Sequence, residues 1–117
     1  MSYLLLIMEP RGQRETRNEA EGKAVYARMV EFAEGLQRRG VLKAVESLAG
    51  DKHATRLALH DGKSKLVDGP YSEAKEMLGG FFLLDCATKE EALAIAAQCP
   101  AAEWATIEVR ETAPCYQ

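Results

Sequence analysis

The residues best suited to chemistry lie in one short stretch of the chain, from Val67 to Glu76. Within nine positions it gathers carboxylates, an amine and a hydroxyl: Asp68, Ser72, Glu73, Lys75 and Glu76. Asp68 could serve as a general base with Lys75 as its electrostatic helper, because loops that follow strands often present such groups to a pocket. The same composition is also typical of an ordinary turn that Asp68 caps while the other charges face water. Both interpretations stay open at this point.

The backbone around these residues is predicted from its glycines and proline. Asp68-Gly69-Pro70 predicts a turn, because Gly69 tolerates positive φ and Pro70 fixes its own φ near about −65°. Ser72 to Met77 is predicted to form one or two helical turns that Gly79-Gly80 end. The next residues, Phe81 to Leu84, are all apolar. Because alternate residues of a strand face opposite sides, this run predicts a strand that is buried on both faces.

Composition limits the classes of protein to which the chain can belong. Its 117 residues predict one domain, 1–117, and a hydrophobic content of 47% supplies a core. The net charge of −3 and the absence of a basic stripe disfavour nucleic-acid binding. The apolar run Tyr3 to Met8 is too short for a membrane span or a signal peptide. Cys86, Cys99 and Cys115 lack Cys-x-x-Cys spacing, which favours reduced thiols in the cytoplasm and no metal site.

A long helix should follow the first strand. Asn18 and Glu21 form a capping-box pattern, and Gly40 is suited to the cap at the other end, so the helix should run to about Arg39. Its apolar residues recur at helical spacing: Val25, Met29, Phe32 and Leu36. Such a stripe is far more often core than ligand site, so we interpret it as core.

The remaining elements complete an alternating order. A weaker strand is expected at Val41 to Leu48, and a hairpin is expected where Asp61-Gly62 joins two strands. A second helix should begin after Thr88, and the last strand should cover Thr106 to Arg110. The order is therefore β-α-β, a hairpin, a short helix and β-α-β. It predicts an α+β, ferredoxin-like (split β-α-β) fold with an inserted β-hairpin.

This fold leaves one face of the sheet without a cover, since two helices can cover only the other face. A second copy of the chain is the cover we expect, which gives a homodimer packed sheet to sheet. Arg56 and His60 on one flanking strand, and Glu108 and Arg110 on another, would then line a small-molecule cleft between the sheets. Alternatively, Glu108 and Arg110 form an ion pair on a solvent-exposed edge strand. The roles of His60 and of the other histidine, His53, stay open.

The stretch from Val67 to Glu76, followed by Leu78-Gly79-Gly80-Phe81-Phe82-Leu83, resembles the DGPF-domain proteins of the YCII-related superfamily. Tyr71 stands where that family usually has Phe, and the resemblance covers nearly the whole chain. It implies a ferredoxin-like fold and a dimeric α/β-barrel assembly. It implies little about activity, because the His–Asp pair of some YCII-related proteins has no counterpart in the first strand or first helix. It also implies an extracytoplasmic-function sigma factor as a possible partner.

Three functions follow from these patterns. The first is a dimeric accessory protein, possibly linked to sigma-factor regulation, that binds a small metabolite. Its candidate ligand-binding residues are Asp68, Tyr71, Glu73, Lys75, Arg56 and Arg110. The second is a small enzyme without a cofactor that uses Asp68 and Lys75 for acid–base chemistry. The third is a purely structural interaction module in which the motif is only a turn.

Overall fold

The computed structural model describes residues 2–117 and contains six strands and two α-helices. They are β1 (Ser2–Pro10), α1 (Glu19–Arg38), β2 (Leu42–Ser47), β3 (Thr55–His60), β4 (Lys63–Asp68), β5 (Glu76–Asp85), α2 (Lys89–Gln98) and β6 (Thr106–Glu111). Short 3₁₀ turns lie at Arg14–Thr16, Asp51–His53 and Pro100–Glu103.

Four of the strands form one antiparallel sheet in the order β2-β5-β1-β6. The two strands that were predicted to be central, β1 and β5, are central. This order is that of a split β-α-β unit and is compatible with a ferredoxin-like fold. The predicted α+β class is thus confirmed, and β3 and β4 form the inserted hairpin as a separate two-stranded sheet.

Both helices pack on the same face of the sheet, which we call the inner face. Tyr3, Leu5 and Ile7 of β1 point to this face and are buried with side chains of β5, α1 and α2. Because strand residues alternate, the residues between them point to the opposite, outer face. The apolar residues of that outer face are only half-buried and comprise Leu4, Leu6, Met8, Phe81 and Leu83.

The first helix begins as predicted. The Asn18 side chain accepts a hydrogen bond from Glu21 N at 2.8 Å, and the Glu21 carboxylate accepts one from Asn18 N at 3.0 Å. At the other end Gly40 adopts φ of 75°. Leu36 is fully buried, and Phe32 packs edge-to-face on Phe82 with ring centroids 5.4 Å apart. The second half of the apolar stripe is therefore core.

Two local predictions around the motif were wrong. Ser72 to Met77 forms no helix: a turn at Ser72-Glu73 leads into β5, which already begins at Glu76. Gly79-Gly80 therefore lies inside a strand and does not mark the end of a helix. The glycines are needed there for close contact, because a Cβ on Gly79 would lie 2.0 Å from Glu9 Oε2. Gly69 likewise packs against the backbone of the 3₁₀ turn at Asp51–His53 and does not adopt positive φ.

The inserted hairpin packs little against the rest of the molecule. Leu57, Leu59 and Leu66 lie on one of its faces and are 62–69% exposed. We had placed Arg56 and His60 on a strand flanking the main sheet, but they belong to β3 of the separate hairpin sheet. An apolar hairpin face is thus exposed in addition to the outer face of the sheet.

Candidate functional site

The motif carboxylate Asp68 lies at the end of β4, where it is exposed to solvent. Its Oδ1 accepts a hydrogen bond from the Thr55 hydroxyl at 2.8 Å, across the open end of the hairpin. Gly69, which follows it, donates a backbone hydrogen bond to Ala54 O at 2.8 Å. These contacts hold the base of the hairpin together.

Three of the predicted ligand-binding residues do meet. The guanidinium carbon of Arg56 lies 3.6 Å from the centroid of the Tyr71 ring, and Arg56 Nη1 donates to Glu73 Oε1 at 3.2 Å. Tyr71 is buried, and its hydroxyl donates to Val67 O at 2.9 Å. The Arg56 and Glu73 side chains are 58% and 70% exposed, so this ion pair contributes little to stability.

The other two predicted residues are not part of this group. Lys75 is exposed, and its backbone carbonyl accepts a hydrogen bond from Arg11 N at 3.1 Å. Arg110 lies on the edge strand β6, with its Nε 3.7 Å from Glu108 Oε2. In the register of the sheet, Arg110 is opposite Leu4 and Glu108 is opposite Leu6, so both charges share the outer face.

Asp51, which the sequence analysis did not single out, forms hydrogen bonds that hold the motif in place. Asp51 Oδ2 accepts from Arg11 Nε at 2.7 Å and from Tyr71 N at 3.4 Å. The hydrogen bond from Arg11 holds the pKa of the Asp51 carboxyl below its ordinary value, and the Tyr71 N–H acts in the same direction. This pair joins the end of β1 to the motif and is mainly structural.

Another cleft lies between α1 and the inner face of the sheet, and we call it the α1 cleft. Its volume is about 520 Å³, within the range typical of small-molecule sites. Apolar and aromatic side chains form most of its wall: Ile7, Val25, Tyr26, Met29, Val30, Val45, Phe82 and Trp104. Val25, the first residue of the apolar stripe of α1, therefore lines a cleft, whereas Met29 lines the cleft and also packs against the core, as predicted.

One end of the α1 cleft carries the charged pair Glu9 and Arg14. Glu9 is only 8% exposed, and Arg14 engages both of its carboxylate oxygens, at 2.5 Å through Nε and 3.2 Å through Nη2. Gly79 forms the floor beneath the carboxylate, and its carbonyl oxygen lies 3.5 Å from Arg14 Nη2. Because the Arg14 side chain is half-buried as well, the pair places two opposite charges inside a mostly apolar cleft.

Trp104 closes the same end of the cleft. Arg17 and Arg28 both lie over its ring, with guanidinium carbons 5.7 Å and 5.4 Å from the centroid. Only Arg17 lines the cleft. Arg28 is paired with Glu103 at 2.6 Å, and this hydrogen bond lowers the pKa of the Glu103 carboxyl.

The sequence contained a signal for Glu9 that we did not use. Glu9 continues the alternation of Tyr3, Leu5 and Ile7, so it had to point to the inner face once β1 extended past Met8. Nothing in the sequence indicated that Arg14, in a 3₁₀ turn after the strand, would return to it.

Comparison with known proteins agrees with this fold. The sequence family model of the YCII-related domain matches residues 1–115, so the chain belongs to the family of proteins with a YCII-related domain. An uncharacterized protein of Rhizobium meliloti (strain 1021) is 35% identical over 83 residues, which are 68% of this chain and 67% of that protein.

A solved structure with a similar fold is that of the 5-chloro-2-hydroxyhydroquinone dehydrochlorinase of Burkholderia phenoliruptrix AC1100, in complex with 2,5-dihydroxybenzoquinone. The TM-score is 0.55 at 16% sequence identity, and the match covers 97% of this chain and 94% of that one. At this identity the likeness concerns the fold.

Residues 2–117 were also compared with the requirements of a metal site and of a membrane-spanning helix. No group of three or more His, Cys, Asp or Glu side chains there is arranged to hold a metal ion. Neither α-helix in that range has both the length and the apolar character that crossing a bilayer requires.

Proposed function

We propose that this protein binds a small, largely apolar molecule in the α1 cleft and acts as a homodimer. The observation that carries the proposal is the cleft itself: about 520 Å³ with apolar walls and a buried, fully paired carboxylate at one end. Binding sites for small molecules typically combine a mostly apolar wall with a few fixed polar groups. The dehydrochlorinase of similar fold was solved with a single-ring quinone, a ligand of a size that such a cleft would hold.

The site differs from the one expected from the sequence. Arg56 and Tyr71 of the motif group line a separate hollow of about 450 Å³, whose wall includes His53. The side chains of its ion pair are 58% and 70% exposed, whereas those of Arg14 and Glu9 in the α1 cleft are 32% and 11% exposed. Electrostatic and hydrogen-bonding interactions with a ligand are stronger where water is excluded, so the α1 cleft is the better binding site.

The homodimer is supported by the outer face of the sheet. Its half-buried row of apolar side chains from β1 and β5 has no helix over it, and apolar patches of this kind mark interfaces. The exposed leucines of the β3–β4 hairpin offer a second apolar surface to the same partner. Together they support sheet-to-sheet packing of two copies and the barrel assembly that the family resemblance implies.

The dimer is tested by mass in solution. Leu6→Glu places a charge in the outer face, and Leu93→Glu, at an exposed position of α2, is the matched control. Light scattering should give a dimer for wild type and for Leu93→Glu, and a monomer for Leu6→Glu. A monomeric wild type at tens of micromolar would reject the dimer.

Ligand binding is tested by filling the cleft. Gly22 lines it, and a Cβ there would meet nothing within 4 Å, so Gly22→Leu should occupy the cleft without a clash. Ala27→Leu, at an exposed helix position away from the cleft, is the control. With 2-naphthamide as a neutral probe, binding followed by NMR should be lost in Gly22→Leu and kept in wild type and Ala27→Leu. Equal binding by all three would reject the α1 cleft as the site.

The enzyme hypothesis depends on Asp68 and Lys75. A general base is usually partly removed from water, whereas Asp68 is exposed and hydrogen-bonded to Thr55. The structure therefore offers no observation that favours this hypothesis. Its decisive test is Asp68→Asn: loss of turnover or binding with an unchanged melting temperature would revive it.

A regulatory role beside an extracytoplasmic-function sigma factor belongs to the same proposal, because a dimer that senses a metabolite suits an accessory protein. Co-purification of the sigma factor with wild type, and its dependence on the ligand, would test that role. A protein that dimerises but binds no probe in the cleft would support the third hypothesis, a structural interaction module.

A further inference from the structure

The charges at the closed end of the α1 cleft define the kind of ligand that fits it. We propose that the cleft selects a small molecule with an apolar, ring-containing body and one acidic group, such as a carboxylate, which Arg17 binds. This inference rests on the proposed function and adds the charge of the ligand. Four observations support it.

The first is that the carboxylate of the cleft is already neutralised. Arg14 engages both oxygens of Glu9 in a paired geometry and also reaches Gly79 O. A cationic ligand could reach Glu9 only by displacing Arg14, which would leave a guanidinium without its partner. Removing one member of a buried pair is strongly unfavourable. A positively charged ligand is therefore disfavoured at this end.

The second observation is that Arg17 has no carboxylate partner within 4.0 Å among residues 2–117. It is half-buried, it lines the cleft, and its guanidinium lies over the Trp104 ring. The end of the cleft thus carries one net positive charge: Glu9 and Arg14 cancel, and Arg17 remains. A planar guanidinium in this position suits a carboxylate, which it can bind through two hydrogen bonds.

Third, the other acidic residues of the cleft lie too far away to serve Arg17. Glu34 is near the opposite end of α1, roughly 22 Å from Glu19 at 1.5 Å per residue. Glu46 is exposed, and by strand alternation its side chain shares the outer face with Ala44, opposite to Val45. The wall near Arg17 contains only the paired Glu9 as an acid.

The fourth observation is the aromatic part of the wall. Tyr26, Phe82 and Trp104 all line the cleft. Aromatic side chains suit a planar ring, which can stack or pack edge-on. A ring with an acidic substituent places its body against these side chains and its charge at Arg17.

The test uses three probes with the same body and different charge: 2-naphthoate, 2-naphthamide and 2-naphthylmethylamine. Affinity is measured by calorimetry at low salt, and the location by NMR shifts of the Met29 methyl group and the Trp104 indole. We expect naphthoate to bind about tenfold or more tightly than the amide, and the amine to bind most weakly. Arg17→Gln should bring naphthoate within about threefold of the amide.

Arg28→Gln is the matched control, because Arg28 lies over the same Trp104 ring but does not line the cleft. It should keep the full preference for naphthoate. Equal binding of naphthoate and naphthamide in the cleft would overturn the acidic-ligand inference and leave the proposed function standing. A preference that survives Arg17→Gln would overturn the role of Arg17. If no probe shifts Met29 or Trp104, both the inference and the proposed function fall.

Discussion

The close contact between Gly79 and Glu9 leads to a quantitative prediction for Gly79→Ala. The added Cβ would lie 2.0 Å from Glu9 Oε2 and 2.8 Å from its Cδ. Ordinary contacts need about 3.5 Å, so the carboxylate must move by more than roughly 1 Å. That movement breaks its hydrogen bonds with Arg14. Overpacking of this kind typically destabilises by about 1–3 kcal/mol, which for a chain of this size lowers the melting temperature by roughly 4–12 °C.

A double-mutant cycle separates this mechanism from a general intolerance of side chains in β5. Glu9→Ala removes the atoms that the new Cβ would meet, so the added effect of Gly79→Ala in that background should fall to less than about 0.5 kcal/mol. Melting temperatures and urea midpoints of the four proteins give the coupling energy. Gly22→Ala is a control of opposite sign, since alanine in an open helical position should stabilise by about 0.4–1 kcal/mol. Additive effects of Glu9→Ala and Gly79→Ala would refute the contact as the cause.

Three further outcomes are expected. Leu36→Ala removes a fully buried side chain and should lower the free energy of unfolding by about 2–5 kcal/mol, measured by urea denaturation. Asn18→Ala removes the helix cap with its partner Glu21 and should destabilise by about 1 kcal/mol, with a loss above 3 kcal/mol contradicting a simple cap. Because Arg11 lowers the pKa of Asp51, the stability from this pair is present at neutral pH and is lost as pH falls through about 4 and below. Urea midpoints from pH 7 to 3 should therefore converge for wild type and Asp51→Asn, and parallel curves would contradict this.

The architecture followed from the sequence because it depends on patterns that extend over whole elements. The runs at β1 and β5 are apolar at every position, which only central strands require, and the capping box at Asn18 fixed the start of α1. Each of these patterns lies within a single element, so it can be recognised from residues that are close together in the sequence. The same applies to the hairpin turn at Asp61-Gly62, where both residues adopt positive φ.

The site did not follow from the sequence because it depends on contacts between distant residues. Glycine was interpreted as a turn former at 79 and 80, whereas contacts with residues far away in the chain require it there: a Cβ would meet Glu9 at position 79 and the Glu46 carbonyl at position 80. Asp68 lies in a segment with the composition of a functional site, but its side chain is hydrogen-bonded to Thr55 across the hairpin. The carboxylate that contacts the motif backbone is Asp51, whose loop had no distinctive pattern in the sequence. Residue type alone does not distinguish a carboxylate in solvent from one that is enclosed by the fold.

The arrangement of the strands affects how the chain acquires its structure during synthesis. β1 is made before both of its neighbours, β5 and β6, and Leu5 lies opposite both Phe82 and Val109. At about 5–20 residues per second, the roughly 75 residues from the end of β1 to the end of β5 take about 4–15 s to synthesise. Throughout that interval the apolar run of β1 has neither of its partner strands. The nascent chain therefore exposes an unpaired apolar segment during this time. We expect chaperones that bind such segments to affect the yield of folded protein more strongly than the stability of the native state does.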